Sequence, residues 1–131
     1  MRFLFAALMV SFSMQSARAN DATQKAAIDA AKTMMEDAYV YMGAAYLCED
    51  ALGSSYYYAA RSAVEQAARL GGKSDADAII LADDFDKGIK RDAPKKAPAA
   101  NMQKCLDKLL ETQTAFRVSR AKFEKAAEAD K

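Results

Sequence analysis

Apolar residues recur at helical spacing in four runs of this chain, and glycine or proline separates each run from the next. Only 5 Gly and 2 Pro occur among 131 residues, alanine is abundant and β-branched residues are few. That composition favours helix almost throughout. The spacing predicts two long and two short helices, over residues 23–52, 55–70, 75–90 and 102–128. We therefore expect an all-α fold, a four-helix antiparallel bundle in one domain.

Each predicted helix has one apolar face, and these faces should form the core. The expected core residues are, in chain order, Ala31, Met35, Ala38, Met42, Ala45 and Leu52; Tyr57, Ala60, Val64 and Ala67; Ile79, Ala82, Phe85 and Ile89; and Met102, Cys105, Leu106, Leu109, Phe116 and Phe123. Ser74, followed by Asp77 three residues later, predicts the start of the third helix.

Residues 1–19 have the pattern of a secretory signal peptide. Arg2 precedes the apolar run 3–12, and Ala17-Arg18-Ala19 has small residues where a signal peptidase reads. The apolar run is too short to span ~30 Å of hydrocarbon, so a membrane anchor is disfavoured. We predict a signal peptide over 1–19 and a mature helical domain over 20–131, periplasmic or secreted and not inserted in a membrane. Residues 2–18 are expected to be helical and to pack poorly on the rest.

The two cysteines predict one disulfide. Cys48 and Cys105 both lie in the predicted mature chain, and they do not form a Cys-x-x-Cys motif. Two cysteines in an oxidising compartment are most simply paired with each other. The long loop between them implies a stabilisation of roughly 3–4 kcal/mol on the chain-entropy model. Such a bond would let the last helix run back antiparallel along the first.

Several chemistries are excluded or disfavoured by composition. The chain has no His, which removes His-based catalytic triads, His-ligated zinc or haem, and the Glu-x-x-His di-iron site of some bundles. A formal net charge of +1 argues against nucleic-acid binding. The acidic run 83–88 does not have the spacing of a calcium-binding EF-hand loop. We expect no enzyme activity, no metal and no cofactor.

The tyrosines form the strongest local bias in the sequence. All six lie between residues 39 and 58, and tyrosine is common at protein interfaces. Tyr57 shares helical spacing with Ala60 and Val64, so it should face the core. The remaining surface predicts a contact site for another exported protein, made of Tyr46, Glu49, Tyr56 and Tyr58. The alternative is that most of these tyrosines belong to the core or its rim.

Three functions are compatible with these observations. The leading one is an exported, non-enzymatic protein-binding module, such as an inhibitor, an immunity-type partner or an assembly factor. The tripeptide Cys48-Glu49-Asp50 and one long-range cysteine pair resemble the periplasmic acid-stress chaperones, although three residues assign no family. That resemblance implies an acid-activated chaperone, whose 18 carboxylates would be neutralised below about pH 4. A small-ligand carrier is the third, because Met and Tyr residues line the first helix.

Overall fold

The structure, a computed structural model, describes residues 2–93, 96 and 101–131, with side chains from residue 21 onward. Over these residues the chain is helical and contains no strand. The helices are α1 (Arg2–Leu47), α2 (Glu49–Leu52), α3 (Ser55–Leu70), α4 (Asp75–Asp92) and α5 (Met102–Ala129). The predicted all-α class is thus confirmed.

Helix α1 begins much earlier than the apolar spacing predicts. It starts at Arg2, so the expected helix over 2–18 is confirmed but is continuous with the helix predicted to begin at residue 23. Helix-compatible residues fill the junction, and neither Gly nor Pro interrupts them. How the side chains of 2–18 pack lies outside the described residues.

The first long helix also ends earlier than predicted, at Leu47 instead of residue 52. Cys48 interrupts it with φ −94° and ψ 4°, and its carbonyl accepts hydrogen bonds from the backbone N–H of Ala51 and Leu52, at 3.1 and 2.9 Å. The short helix α2 follows. Gly53 follows the last residue of α2 and has a positive φ of 91°, a conformation that suits glycine. The interruption therefore falls at Cys48, the residue whose disulfide bond joins α1 to α5.

Helices α1 and α5 run antiparallel along each other. The hydroxyl of Thr23, in the N-terminal half of α1, donates to a carboxylate oxygen of Asp130 at 3.0 Å. Further along α1, the Tyr41 ring stacks on Phe116 with centroids 6.1 Å apart. Cys48 is bonded to Cys105, and their Cα atoms are 5.5 Å apart. Residue numbers fall on α5 as they rise on α1, and the predicted disulfide is confirmed.

Buried residues on α1 and α5 alternate in steps of four and three, the spacing of a coiled-coil seam. On α1 they include Met34, Ala38, Tyr41, Ala45 and Cys48, and on α5 they are Cys105, Leu109, Thr112, Phe116, Ser119 and Phe123. The expected core positions Ala38, Met42 and Ala45 are confirmed. On α1, Met34 is completely buried, whereas the predicted Met35 is only partly covered.

Two of the core positions predicted on the last helix are wrong. Met102 is exposed, and Leu106 keeps 37% of its surface accessible, because both lie on the flank of α5 beside the seam. The polar residues Thr112 and Ser119 occupy the seam instead. Their hydroxyls donate to backbone carbonyls within α5, and among the described residues no buried side-chain nitrogen or oxygen lacks a partner. The seam tolerates these hydroxyls because their hydrogen bonds are satisfied.

Helix α3 buries the predicted face, and α4 buries most of its predicted face, since Ala82 and Ile89 are buried and Phe85 is partly buried. Tyr57, Ala60, Val64 and Ala67 are all buried. On α4, Ala78 is fully buried while the predicted Ile79 is 46% exposed. A small side chain at that turn allows α4 to approach α3 closely, and the larger Ile79 points away. The predicted start of α4 is confirmed, since Ser74 Oγ accepts a hydrogen bond from the Asp77 N–H at 3.1 Å.

The helices leave one side of α1 uncovered. Helix α1 packs against α5 on one side and α3 on another, and α4 packs mainly on α3 with a smaller contact to α1. Within the described residues α4 and α5 make few or no contacts with each other. Among the described residues, no helix covers the strip of α1 that lies between them, and Val40 on this strip is 50% exposed.

Candidate functional site

Tyr57 is the centre of a hydrogen-bonded cluster between α3 and α4. Its ring lies between those of Tyr46 and Tyr58, with centroid distances of 5.9 and 6.1 Å. Its hydroxyl donates to the carboxylate of Asp86 on α4. Lys90 Nζ donates to the same carboxylate at 2.8 Å. The prediction that Tyr57 faces the core is confirmed, and its polar end ties α3 to α4.

Within this cluster the pKa of Tyr57 is raised and the pKa of Asp86 is lowered. Burial raises the pKa of Tyr57, and its hydrogen bond to Asp86 and the negative charge there raise it further. Partial burial alone would raise the pKa of Asp86. The hydrogen bonds from Lys90 and Tyr57, with the positive charges of Lys90 and Arg61, outweigh that effect and lower it. Near neutral pH the cluster thus holds a protonated phenol and an ionised carboxylate.

Acid should weaken the contact between α3 and α4. The pKa of Asp86 is lower in the folded state than its ordinary 3.8, so its stabilising effect is complete above that value and is lost as pH falls through the lowered pKa. We predict that Asp86→Asn lowers the free energy of unfolding by about 1–3 kcal/mol at neutral pH. The variant should also lose less stability than the wild type between about pH 5 and about pH 2, a range that includes the lowered pKa. Urea unfolding at both pH values measures this.

Asp84→Asn is the matched control for this prediction. Asp84 lies on the same helix, is exposed and makes no hydrogen bond or ion pair within the described part of the chain. Its substitution should leave the acid dependence unchanged. Equal pH profiles for Asp86→Asn and the wild type would contradict the assignment.

Lys96 contacts two residues of the contact site predicted from sequence, Glu49 and Tyr46. Its Nζ is 3.1 Å from Glu49 Oε1 and 3.8 Å from Asp50 Oδ1. It also lies over the Tyr46 ring, 4.8 Å from the centroid, in cation–π geometry. The hydrogen bond to Glu49 raises the pKa of Lys96. Tyr46 and Glu49 are therefore already engaged inside the molecule, and Lys96 is a residue that the sequence analysis missed.

Tyr56 and Tyr58 lie on different sides of α3. They are 41% and 66% exposed, and residues two positions apart on a helix are about 200° apart around its axis. Tyr58 touches the Tyr57 ring, whereas Tyr56 lines a groove with residues of α5. The structure thus places Tyr46 and Tyr58 against the Tyr57 ring and places Tyr56 on the other side of α3.

The groove beside Tyr56 is lined by residues of α1, α3 and α5. It has a volume of about 310 Å³, and its lining residues are Tyr41, Tyr56, Gln103, Leu106, Asp107, Leu109, Leu110 and Gln113. Gln113 donates a hydrogen bond to the Tyr41 hydroxyl at 3.2 Å, which fixes one wall. We define the Tyr56 patch as the exposed side chains of Tyr56, Met102, Leu106 and Leu110. Two members of this patch, Met102 and Leu106, stand out in the sequence as apolar residues at helical spacing, which predicted them to be core.

No protein-family model, curated protein or solved structure matches this chain. Among the described residues, no three Cys, Asp or Glu side chains cluster closely enough to hold a metal ion. No described helix combines the length and apolar character needed to cross a membrane.

Proposed function

We propose that this chain is an exported, non-enzymatic protein-binding module that contacts another exported protein through the Tyr56 patch. The proposal includes a signal peptide over residues 1–19 and a mature four-helix antiparallel bundle over 20–131. The Cys48–Cys105 disulfide supports export, because such bonds are typical of oxidising compartments. The observation that supports binding most strongly is the exposure of apolar side chains on successive turns of α5.

Met102, Leu106 and Leu110 are spaced four residues apart, so they form one stripe on α5. The core does not use this stripe, and Tyr56 of α3 extends it. Apolar side chains grouped in this way on a small protein mark interaction sites more often than isolated ones do. A partner that covers them would gain the free energy of removing their surface from water.

The surroundings of the patch suit a protein contact. Leu109 and Tyr41 are buried beneath it and give the groove a rigid floor. Gln103, Asp107 and Gln113 line the same groove and offer hydrogen-bonding groups at its edge. An apolar centre with a polar rim is the usual anatomy of a protein interface. Tyrosine adds apolar area with little side-chain entropy to lose.

Substitutions in the patch should weaken binding without unfolding the protein. We predict that Tyr56→Ala and Leu110→Ala each weaken the affinity for the partner by more than about fivefold, which is ~1 kcal/mol. Their melting temperatures should stay close to that of the wild type, because both side chains are largely exposed. The partner is first captured from the exported proteins of the source cells, then purified, and its Kd is measured by calorimetry.

Tyr58→Ala is the matched comparison, on the opposite side of the same helix. The patch predicts that this variant binds normally, whereas the site expected from sequence predicts that it binds weakly. Normal binding by both Tyr56→Ala and Leu110→Ala would contradict the proposed site. If the mature protein instead retains a small molecule and captures no protein, the proposed function fails.

An acid-activated chaperone is the second candidate, favoured by the carboxylate contacts that hold α4 on α3. Besides the Tyr57–Asp86 bond, Arg61 of α3 donates to Asp83 of α4, and this hydrogen bond raises the pKa of Arg61. Protonation of Asp86 would weaken the hold of α4 on α3 and expose the apolar surface beneath α4. Protection of a client protein from aggregation at about pH 2–3 tests this function. Absence of protection there would remove it.

A further inference from the structure

A second groove lies on the other flank of α5, against the uncovered strip of α1. Its volume is about 430 Å³, and its floor consists of Val40, Gly43 and Leu47 of α1 together with the Cys48–Cys105 disulfide. We call it the disulfide groove. Lys104 lines it and is two positions from Leu106, so the groove and the Tyr56 patch face about 200° apart around α5.

The floor of this groove is apolar and has free space above it. Val40, Gly43 and Leu47 follow the spacing of one helical face, and Val40 is 50% exposed. A Cβ atom built on Gly43 would meet nothing within 4 Å. Because α4 and α5 do not close over this strip, no described helix blocks a ligand from its apolar surface.

The edge of the groove is positively charged. Lys104 and Lys108 are one turn apart on α5 and both line it. In the part of the chain that the structure describes, Lys104 has no ion-pair partner. Among the same described residues, Lys108 forms an ion pair only with the exposed Glu111 of its own helix, at 3.5 Å. None of the described lining residues is acidic, so the groove complements a negative charge at one edge and an apolar chain along its floor.

We propose that the disulfide groove binds a single medium-chain carboxylate, a free fatty acid such as laurate. The acyl chain lies along Val40, Gly43 and Leu47, and the carboxylate lies between the ammonium groups of Lys104 and Lys108. The strip from Val40 to Leu47 is about 10 Å long, and the volume is near the lower end of the roughly 300–1,000 Å³ typical of ligand pockets. Those dimensions suit one chain better than the two chains of a phospholipid.

The test is a titration of the isotope-labelled mature protein with laurate, followed by backbone NMR. Dodecyltrimethylammonium is the matched ligand, with the same chain length and the opposite charge, and both are used below their micelle concentrations. We expect saturable shifts at Gly43, Lys104 and Lys108. Laurate should bind about tenfold more tightly than the cationic ligand.

Variants separate the two parts of the site. Gly43→Leu should fill the floor and abolish laurate binding, and it should fold because the position is open and leucine favours helix. The double variant Lys104→Gln/Lys108→Gln should weaken laurate binding by about fivefold or more and leave the cationic ligand unaffected. Tyr56→Ala, on the other flank, should bind laurate as the wild type does. Melting temperatures confirm that each variant is folded.

Several results would overturn the proposal. Equal affinity for laurate and the cationic ligand would remove the role of the lysines. Shifts at Leu106 and Leu110 in place of Gly43 would put the ligand on the Tyr56 patch. Concentration-dependent shifts at Gly43 without ligand would assign the groove to a second copy of the chain. Binding to anionic phospholipid vesicles but not to laurate would assign it to a membrane surface.

Discussion

Removal of the Cys48–Cys105 bond is expected to lower the free energy of unfolding by about 2–5 kcal/mol. The bond closes a loop with a sequence separation of 57, and its Cα–Cα distance of 5.5 Å is in the ordinary range for disulfides. The chain-entropy model gives about 4 kcal/mol for a loop of this length. Helices α2, α3 and α4 all lie within the loop, so its closure restricts the part of the unfolded chain that forms them.

Urea unfolding with and without reductant measures this effect. The variant Cys48→Ser/Cys105→Ser should match the reduced wild type, and reductant should not change it further, because the chain has only 2 Cys. Both sulfurs are also buried at the end of the α1–α5 seam. Identical urea midpoints for the oxidised and reduced wild type would show that the bond does not stabilise the fold.

The helices themselves were predictable because local signals agree with one another. Gly71 and Gly72 follow the apolar run of α3, and Ser74 then caps α4 as expected. Tyr57 was correctly placed in the core because its spacing to Ala60 and Val64 leaves little choice. Local chemistry decides such features, so one sequence suffices to predict them.

The choice between neighbouring apolar residues was not predictable from spacing. Ala78 and Ile79 differ by about 100° around α4, and hydrophobicity favours Ile79 for the core. Contact with α3 favours the smaller Ala78, and this depends on how closely two helices approach. On α5, the seam likewise selects Thr112 and leaves Leu106 at its side. These outcomes are set by tertiary packing, which propensity does not encode.

The candidate sites were the least predictable part of the molecule. Lys96 lies in the connection between α4 and α5, yet it reaches Glu49 and Tyr46, which are far away in sequence. The disulfide groove exists because α4 and α5 do not close over Val40 and Gly43. Both features arise from the relative placement of helices, and no local sequence motif predicts them.

Phe116→Ala is the second substitution for which we expect a large effect, a loss of about 3–5 kcal/mol in the free energy of unfolding. Phe116 is buried in the seam of α5, and its ring stacks on Tyr41 with centroids 6.1 Å apart. The substitution removes the apolar contact and leaves a cavity between α1 and α5. Neighbouring side chains can collapse only partly into such a space.

Val118→Ala is the matched control, because Val118 lies on the same helix two residues away and is half exposed. It should change the free energy of unfolding by no more than about 0.5 kcal/mol. Urea midpoints of both variants in the oxidised protein isolate the effect of packing from that of the disulfide. A comparable loss in the two variants would mean that Phe116 does not lie in a packed seam. The antiparallel pairing of α1 with α5 would then have to be placed in a different register.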